Sequence, residues 1–212
     1  SSFHDFCNTA EELHFQGIEL HNIYNRLFTD VDGAFHDYSA ISTLRRLYEK
    51  KLSIPCIDTI HDAADPDERE VMIDEITTCV RIAGNLHIPF IRIRTNMRGD
   101  IKTIDSSLVS LIQKVLPLIE DKNITLLIET TGLYSNTKLL RDLLDQFAND
   151  HLAALWQMSA AYFGAGESAE EVIKNLGAYV RHVHIKDAEK VGDSTEFCLM
   201  GEGEMPVEEM EL

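Results

Sequence analysis

Several things are missing from this 212-residue chain, and each absence narrows what it can be. No apolar run approaches the ~18 residues that a membrane-spanning helix needs, so no membrane partner is expected. The opening residues Ser1-Ser2-Phe3-His4-Asp5 carry no basic stretch followed by an apolar one, so no secretory signal is expected there. Cys7, Cys56, Cys79 and Cys198 contain no CxxC pair and read as reduced thiols of a cytoplasmic protein, not as a disulfide frame or a metal-thiolate site. Basic residues are scarce: 19 Lys and Arg stand against 36 Asp and Glu, for a net charge of −17. Nucleic acid is therefore not the expected partner, because its affinity comes from Lys and Arg on phosphates. The acidic excess reads as solubility. Neither GxGxxG nor GxxxxGK[ST] occurs, which removes the phosphate cradle that an open doubly wound sheet would use. Linkers, low-complexity runs and composition shifts are also missing, so residues 1–212 are expected to form one domain.

What is present is an alternation of strand and helix patterns. Strands are expected at Gly17–Asn22, Ser53–Thr59, Ile88–Thr95, Ile124–Thr130, Leu152–Met158 and Val180–Asp187. Helical periodicity fills 38–51, 66–86, 101–122, 136–149 and 168–179. Asp65-Pro66 reads as the start of one helix, and Ser168 with Glu171 as the capping box of another. Helix 66–86 is expected to bury Val71, Ile73, Ile76, Val80 and Ala83. Six strands at βαβ pitch imply a parallel sheet. Polar residues gather at the carboxyl ends of many strands, as a parallel (β/α) TIM-type barrel requires. Asn8–Phe15 reads as a helix with no strand before it, and Pro206–Leu212 as a helix cut after two turns. A barrel of eight would need one more strand at each end, so the chain is expected to be a fragment lacking the first and eighth strands.

The stretch Val180-Arg181-His182-Val183-His184-Ile185-Lys186-Asp187 carries the most chemistry. On a strand, alternate side chains share a face, so His182, His184 and Lys186 point one way and Val183 and Ile185 the other. A buried face holding two His and a Lys needs partners for every polar group. At the carboxyl end of a parallel strand, that pattern is where a metal or substrate site is expected.

Four segments together resemble the xylose-isomerase-like barrel superfamily, which includes sugar-phosphate isomerases and epimerases and the apurinic-site endonucleases. They are Phe15-Gln16-Gly17-Ile18-Glu19-Leu20; Thr125-Leu126-Leu127-Ile128-Glu129-Thr130; Ala154-Leu155-Trp156-Gln157 with Gly164-Ala165-Gly166-Glu167-Ser168; and Arg181 to Asp187 with Leu199-Met200-Gly201-Glu202-Gly203-Glu204. The resemblance implies a divalent metal, Mn²⁺, Mg²⁺ or Zn²⁺, held by Glu, Asp, His and Glu from four strands. Glu129 matches the first Glu and His184 the His. The Asp position holds Gln157, the last Glu would lie beyond Leu212, and a further substrate-touching His is replaced by Ala160. An amide offers one neutral oxygen where a carboxylate offers charge. Glu129, Gln157 and His184 alone are thus expected to hold metal weakly or not at all, unless Glu19, His21 or His61 compensates.

Each residue also has a structural reading. Glu129 is a metal ligand and base, or a buried acid paired with Arg92 or Arg94. His184 is a ligand, or is bonded to backbone or a carboxylate. Lys186 holds an anion or an enediolate oxygen, or makes a salt bridge to Glu129 or Asp187. Arg92 and Arg94 clamp a substrate anion or neutralise nearby acids. Trp156 is core or a face for stacking a sugar, and His182, lying deeper, reads as a core histidine. Gly201-Glu202-Gly203-Glu204 reads as a turn, not an anion cradle. The function implied is isomerisation or epimerisation of a sugar or sugar phosphate through a metal-bound enediolate, by a chain that can form a homo-oligomer. The alternative is a degenerate, non-catalytic barrel kept for carbohydrate binding or for assembly within a larger protein. An endonuclease is disfavoured by the negative charge.

Overall fold

The computed structural model describes residues 2–21, 33–96, 99–192 and 194–206. Strands β1 (Leu20–His21), β2 (Cys56–Asp62), β3 (Phe90–Arg94), β4 (Thr125–Glu129), β5 (Leu152–Gln157) and β6 (Val180–His184) form one parallel sheet in sequence order. Helix α1 (Phe3–Glu12) precedes the sheet, and α2 (Ala40–Glu49), α3 (Arg69–Leu86), α4 (Ile101–Asp121), α5 (Thr137–Phe147) and α6 (Ala169–Leu176) run between successive strands. Every expected strand is found, though each is trimmed or shifted by a few residues. A hairpin, β7 (Asp187–Val191) with β8 (Ser194–Cys198), follows.

The sheet is a curled, incomplete barrel. In the hydrogen-bonded order β1 and β6 stand at opposite ends. The curl still brings these edges within side-chain reach, because Glu19 beside β1 meets His184 on β6 at 2.8 Å. The outer core lies between sheet and helices, around Ile57, Ile76, Ile91, Leu108, Leu126, Ile128 and Leu140. Inside the curl is a smaller apolar floor of Cys56, Leu127, Ala153 and Leu155 with Phe90 against it. One layer further along the strands the inward positions turn polar, which creates the mouth.

Several expectations need correction. Helix α1 begins at Phe3, not Asn8, because Ser2 and Asp5 form a capping box ahead of it. Helix α3 begins at Arg69. Asp65 accepts from the Asp67 amide in the preceding turn instead of capping the helix. Its buried stripe is Met72, Glu75, Ile76, Cys79, Val80, Ile82, Ala83 and Leu86, and Val71 is exposed. Glu75 is buried for a reason found on β2. The β2–β3 register shifts between Asp58 and Asp62, and Glu75 accepts from the amides of Ile60 and His61 in that irregular stretch. The last strand stops at His184, and Ile185 is exposed instead of buried. The capping box of Ser168 and Glu171 on α6 is as expected. Of the helix expected at 206–212, residues 207–212 lie outside the described residues.

Gly132 is the position where the fold most needs glycine. It has φ +56°, and a Cβ there would overlap the Thr95 carbonyl oxygen. Left-handed backbone and steric overlap together predict that Gly132→Ala destabilises the chain by about 2–4 kcal/mol, read by urea unfolding. A cost below about 1 kcal/mol would show that the contact between the Thr95 and Gly132 loops can relax.

Candidate active site

The mouth of the curl is an open cleft of about 1440 Å³. Its polar wall follows from strand alternation. On β2, Asp58 lies two residues beyond the floor residue Cys56. On β4, Glu129 lies two beyond Leu127, and on β5, Gln157 lies two beyond Leu155. His182 and His184 supply the same face of β6, and Glu19 and His21 that of β1.

Arg92 holds the layer together. Its Nη2 is 2.6 Å from Asp58 Oδ2 and its Nη1 is 3.1 Å from Glu129 Oε1, with all three side chains buried. His21 Nδ1 meets the same Asp58 oxygen at 2.6 Å. His184 stands between two acids: Nε2 is 2.8 Å from Glu19 Oε2 and Nδ1 is 3.6 Å from Glu129 Oε1. His182 Nε2 is 3.0 Å from Glu19 Oε1. Arg92 therefore neutralises acids and is not a free anion clamp. Arg94 also lines the cleft, and among the described residues no acid pairs with it.

These contacts set the charges. Burial by itself would raise the Glu129 carboxyl, but hydrogen bonding to His184 and the Arg92 charge hold it below its usual range. Burial by itself would raise Glu19 too, but His182 and His184 beside it hold it well below its usual range. Burial alone would lower His184, yet its bonds to Glu129 and Glu19 outweigh that and push it up to about 9. The folded value lies above the ordinary ~6.5, so this protonation favours the fold fully below about pH 6.5 and is lost as pH rises through 9. In the metal-free chain, the melting-temperature gap between wild type and His184→Gln is expected to shrink steadily over that window. A gap that widens towards pH 9 would contradict the assignment.

Other residues expected at the site lie elsewhere or act differently. Trp156 points away from the cleft into a cluster with Met158, Ala161, Val172 and Met205, so it offers no stacking face. Its neighbours Leu155 and Gln157 take the inward face, which leaves Trp156 the outward one. His61 sits on the helix side of β2, bonded to Glu75 at 2.7 Å, and does not reach the mouth. Lys186 lines the cleft beyond the end of β6, with its ammonium 4.9 Å over the Phe197 ring of the hairpin. It makes no salt bridge with Asp187, whose buried carboxylate accepts from the amides of Ala188, Gly201, Gly203 and Met205. The Gly201–Glu204 loop is thus an anion cradle after all, and the anion is the chain's own Asp187. His182 is not a satisfied core residue but part of the wall. Asp58 was overlooked, although its place two residues beyond Cys56 pointed inward.

The metal position that the resemblance implies falls among these contacts. Glu129 and His184 are close enough to share an ion. However, the Arg92 guanidinium lies 3.1 Å from one and 3.5 Å from the other, filling the cationic role between them. Gln157 Oε1 accepts from the Ser159 hydroxyl. Glu129, Gln157 and His184 as arranged do not fit a divalent ion.

No curated protein matches the sequence. Solved structures share the fold at low identity. The probable 3-DHS dehydratase AsbF of Bacillus anthracis is 19% identical at TM-score 0.82, with 99% of this chain and 82% of that one covered. A D-tagatose 3-epimerase-like protein is 16% identical at TM-score 0.78, covering 96% and 78%. An IOLI protein with a bound zinc atom is 13% identical at TM-score 0.78, covering 99% and 78%. At such identities these likenesses show the fold alone. A family model described as xylose isomerase-like TIM barrel matches residues 7–211, nearly the whole sequence, and the chain belongs to that family.

Proposed function

We propose that the cleft enolises a small polyhydroxylated carbonyl compound, a sugar or sugar phosphate, as an isomerase or epimerase does. The observation that carries this reading is the convergence of Glu129, His184, Arg94 and Lys186 on one open mouth. Epimerisation beside a carbonyl begins with removal of the adjacent proton, and dehydration beside a carbonyl can begin the same way. Both reactions are named among proteins of this fold.

Glu129 is ionised at neutral pH and takes that proton. The bond from Arg92 makes it a weak base, so the step depends on stabilising the developing oxyanion. His184, whose two ring nitrogens face Glu19 and Glu129, adds positive charge beside that space and donates no bond to the substrate. Lys186 and Arg94 supply further positive charge, and the Arg94 guanidinium, which pairs with no acid among the described residues, takes a phosphate or carboxylate. A divalent ion would supply Lewis-acid polarisation in the family reaction, but no step is assigned to one here, because Arg92 occupies its place. The unpaired cysteines support action in a reducing, cytoplasmic setting. No helix among the described residues is long and apolar enough to cross a membrane.

One observation favours the second reading, a barrel that binds carbohydrate without turnover. The weakened base Glu129 stands beside Gln157, which replaces an acid, and Ala160, which replaces a histidine. Incubation with ketohexoses and their phosphate esters, followed by ¹³C NMR, separates the two. Turnover of at least one ester is expected. Arg94→Met is expected to cut affinity for the ester by about tenfold, the scale of a charge-assisted hydrogen bond, and to leave the neutral sugar unchanged. Binding without product would favour the second reading.

A further inference from the structure

The strongest unexplained cluster lies beside the family position. Glu19, His182 and His184 place one ligand atom each within 4.8 Å of one another. Both imidazoles turn Nε2 towards a single carboxylate, at 3.0 and 2.8 Å. Only the His184 contact is an aligned hydrogen bond. Glu19 Oε1 is buried and accepts none, although His182 Nε2 is beside it. Two rings converging on one acid, with one oxygen left unsatisfied, is a costly way to build a structural contact.

We infer that Glu19, His182 and His184 form a divalent-metal site, suited to zinc, on the inner wall of the cleft. The donor set is two imidazoles and a carboxylate, a set that holds catalytic zinc and leaves a fourth position open. Bonds of ~2.0–2.1 Å at tetrahedral angles put donors roughly 3.3 Å apart, so three donors already within 4.8 Å of one another can close on one ion by small side-chain adjustments. The fourth position would face the cleft, which Glu19, His182 and His184 all line. The second nitrogen of His184 already faces Glu129, the carboxylate that commonly orients a zinc-bound histidine. Arg92, which blocks the family position, lies on that Nδ1 side and leaves Nε2 clear. The metal thus moves from the Glu129 side of His184 to its Glu19 side, with the sequence change at Gln157 made harmless. This inference stands whether or not the cleft is catalytic.

The test is calorimetric titration of Zn²⁺ into the chelator-stripped chain. One ion per chain is expected. Glu19→Gln and His182→Asn should each weaken it by at least about tenfold, while Gln157→Ala should change it by less than about twofold. X-ray absorption of the zinc-loaded wild type gives a count that needs no variant: two imidazoles are expected. No binding, one imidazole, or a loss confined to Gln157→Ala would overturn the proposal. Because these readouts are binding and ligand count, they can fail while sugar turnover succeeds, and the reverse.

Discussion

Replacing Arg92 with Met is expected to lower the free energy of unfolding by about 3–5 kcal/mol. The guanidinium is the shared partner of Asp58 and Glu129, and all three side chains are at most 7% exposed. Removing it leaves two buried carboxylates facing the same void, and each must either stay ionised at low dielectric or take up a proton. His21 and His184 offer partial replacement, which keeps the cost inside the range for breaking a buried pair instead of beyond it. The cost should fall when the acids are removed too. Arg92→Met with Asp58→Asn and Glu129→Gln is expected to recover most of the loss, because the penalty lies in the unpaired charge and not in the missing pair. Urea unfolding of the single and triple variants measures both. A single-variant loss below about 1 kcal/mol would show that water reaches and screens these acids.

The second large effect is on chemistry. Glu129→Gln keeps the shape of the side chain and its bond from Arg92 but removes the proton acceptor. A loss of about 10²–10⁴ in kcat is expected, with KM changed little, the scale for removing one general base. The melting temperature must be checked alongside, since the substitution also removes one acid from the Arg92 pair. A drop in kcat that simply tracks lost folded protein would not count. If Glu129→Gln turns over sugar at the wild-type rate, the proton goes to another group and the assignment of Glu129 fails.

Much of the fold was readable because buried parallel strands must be apolar. Ile91 and Ile93, Leu126 to Ile128 and Leu152 to Trp156 announce themselves, and helices of matching length separate them. The hairpin β7–β8 was not readable in the same way. Its residues are short-range, polar and largely exposed, so no buried face imposes a period. Its one signal was Gly192 with φ +64°, a turn conformation that glycine accepts readily. Missing the hairpin also hid the environment of Lys186, which lies past the strand against Phe197.

For the site, alternation placed Glu129, Gln157, His184, Glu19 and His21 on the inward face. It failed where the backbone departs from regularity or where partners come from far along the chain. His61 was drawn into the candidate set by its type, although alternation from Cys56 and Asp58 already put it outward, against Glu75. Depth along the strand makes His182 read as core, and no local pattern shows that Glu19, 163 positions earlier, lies beside it. For Arg92 the sequence offers both an anion clamp and a partner of Glu129; the structure shows the pairing with Glu129 and adds Asp58 from another strand.

The central claim is that Glu129 removes a carbon-bound proton beside a substrate carbonyl in this cleft. Deuterium wash-in tests it most directly: the chain is incubated in D₂O with the ketose phosphate it binds best, and the carbon next to the carbonyl is followed by NMR. Exchange at that carbon with wild type, falling by at least about a hundredfold with Glu129→Gln, is the predicted result. Tight binding with no exchange in the wild type, or exchange that Glu129→Gln leaves intact, would contradict it.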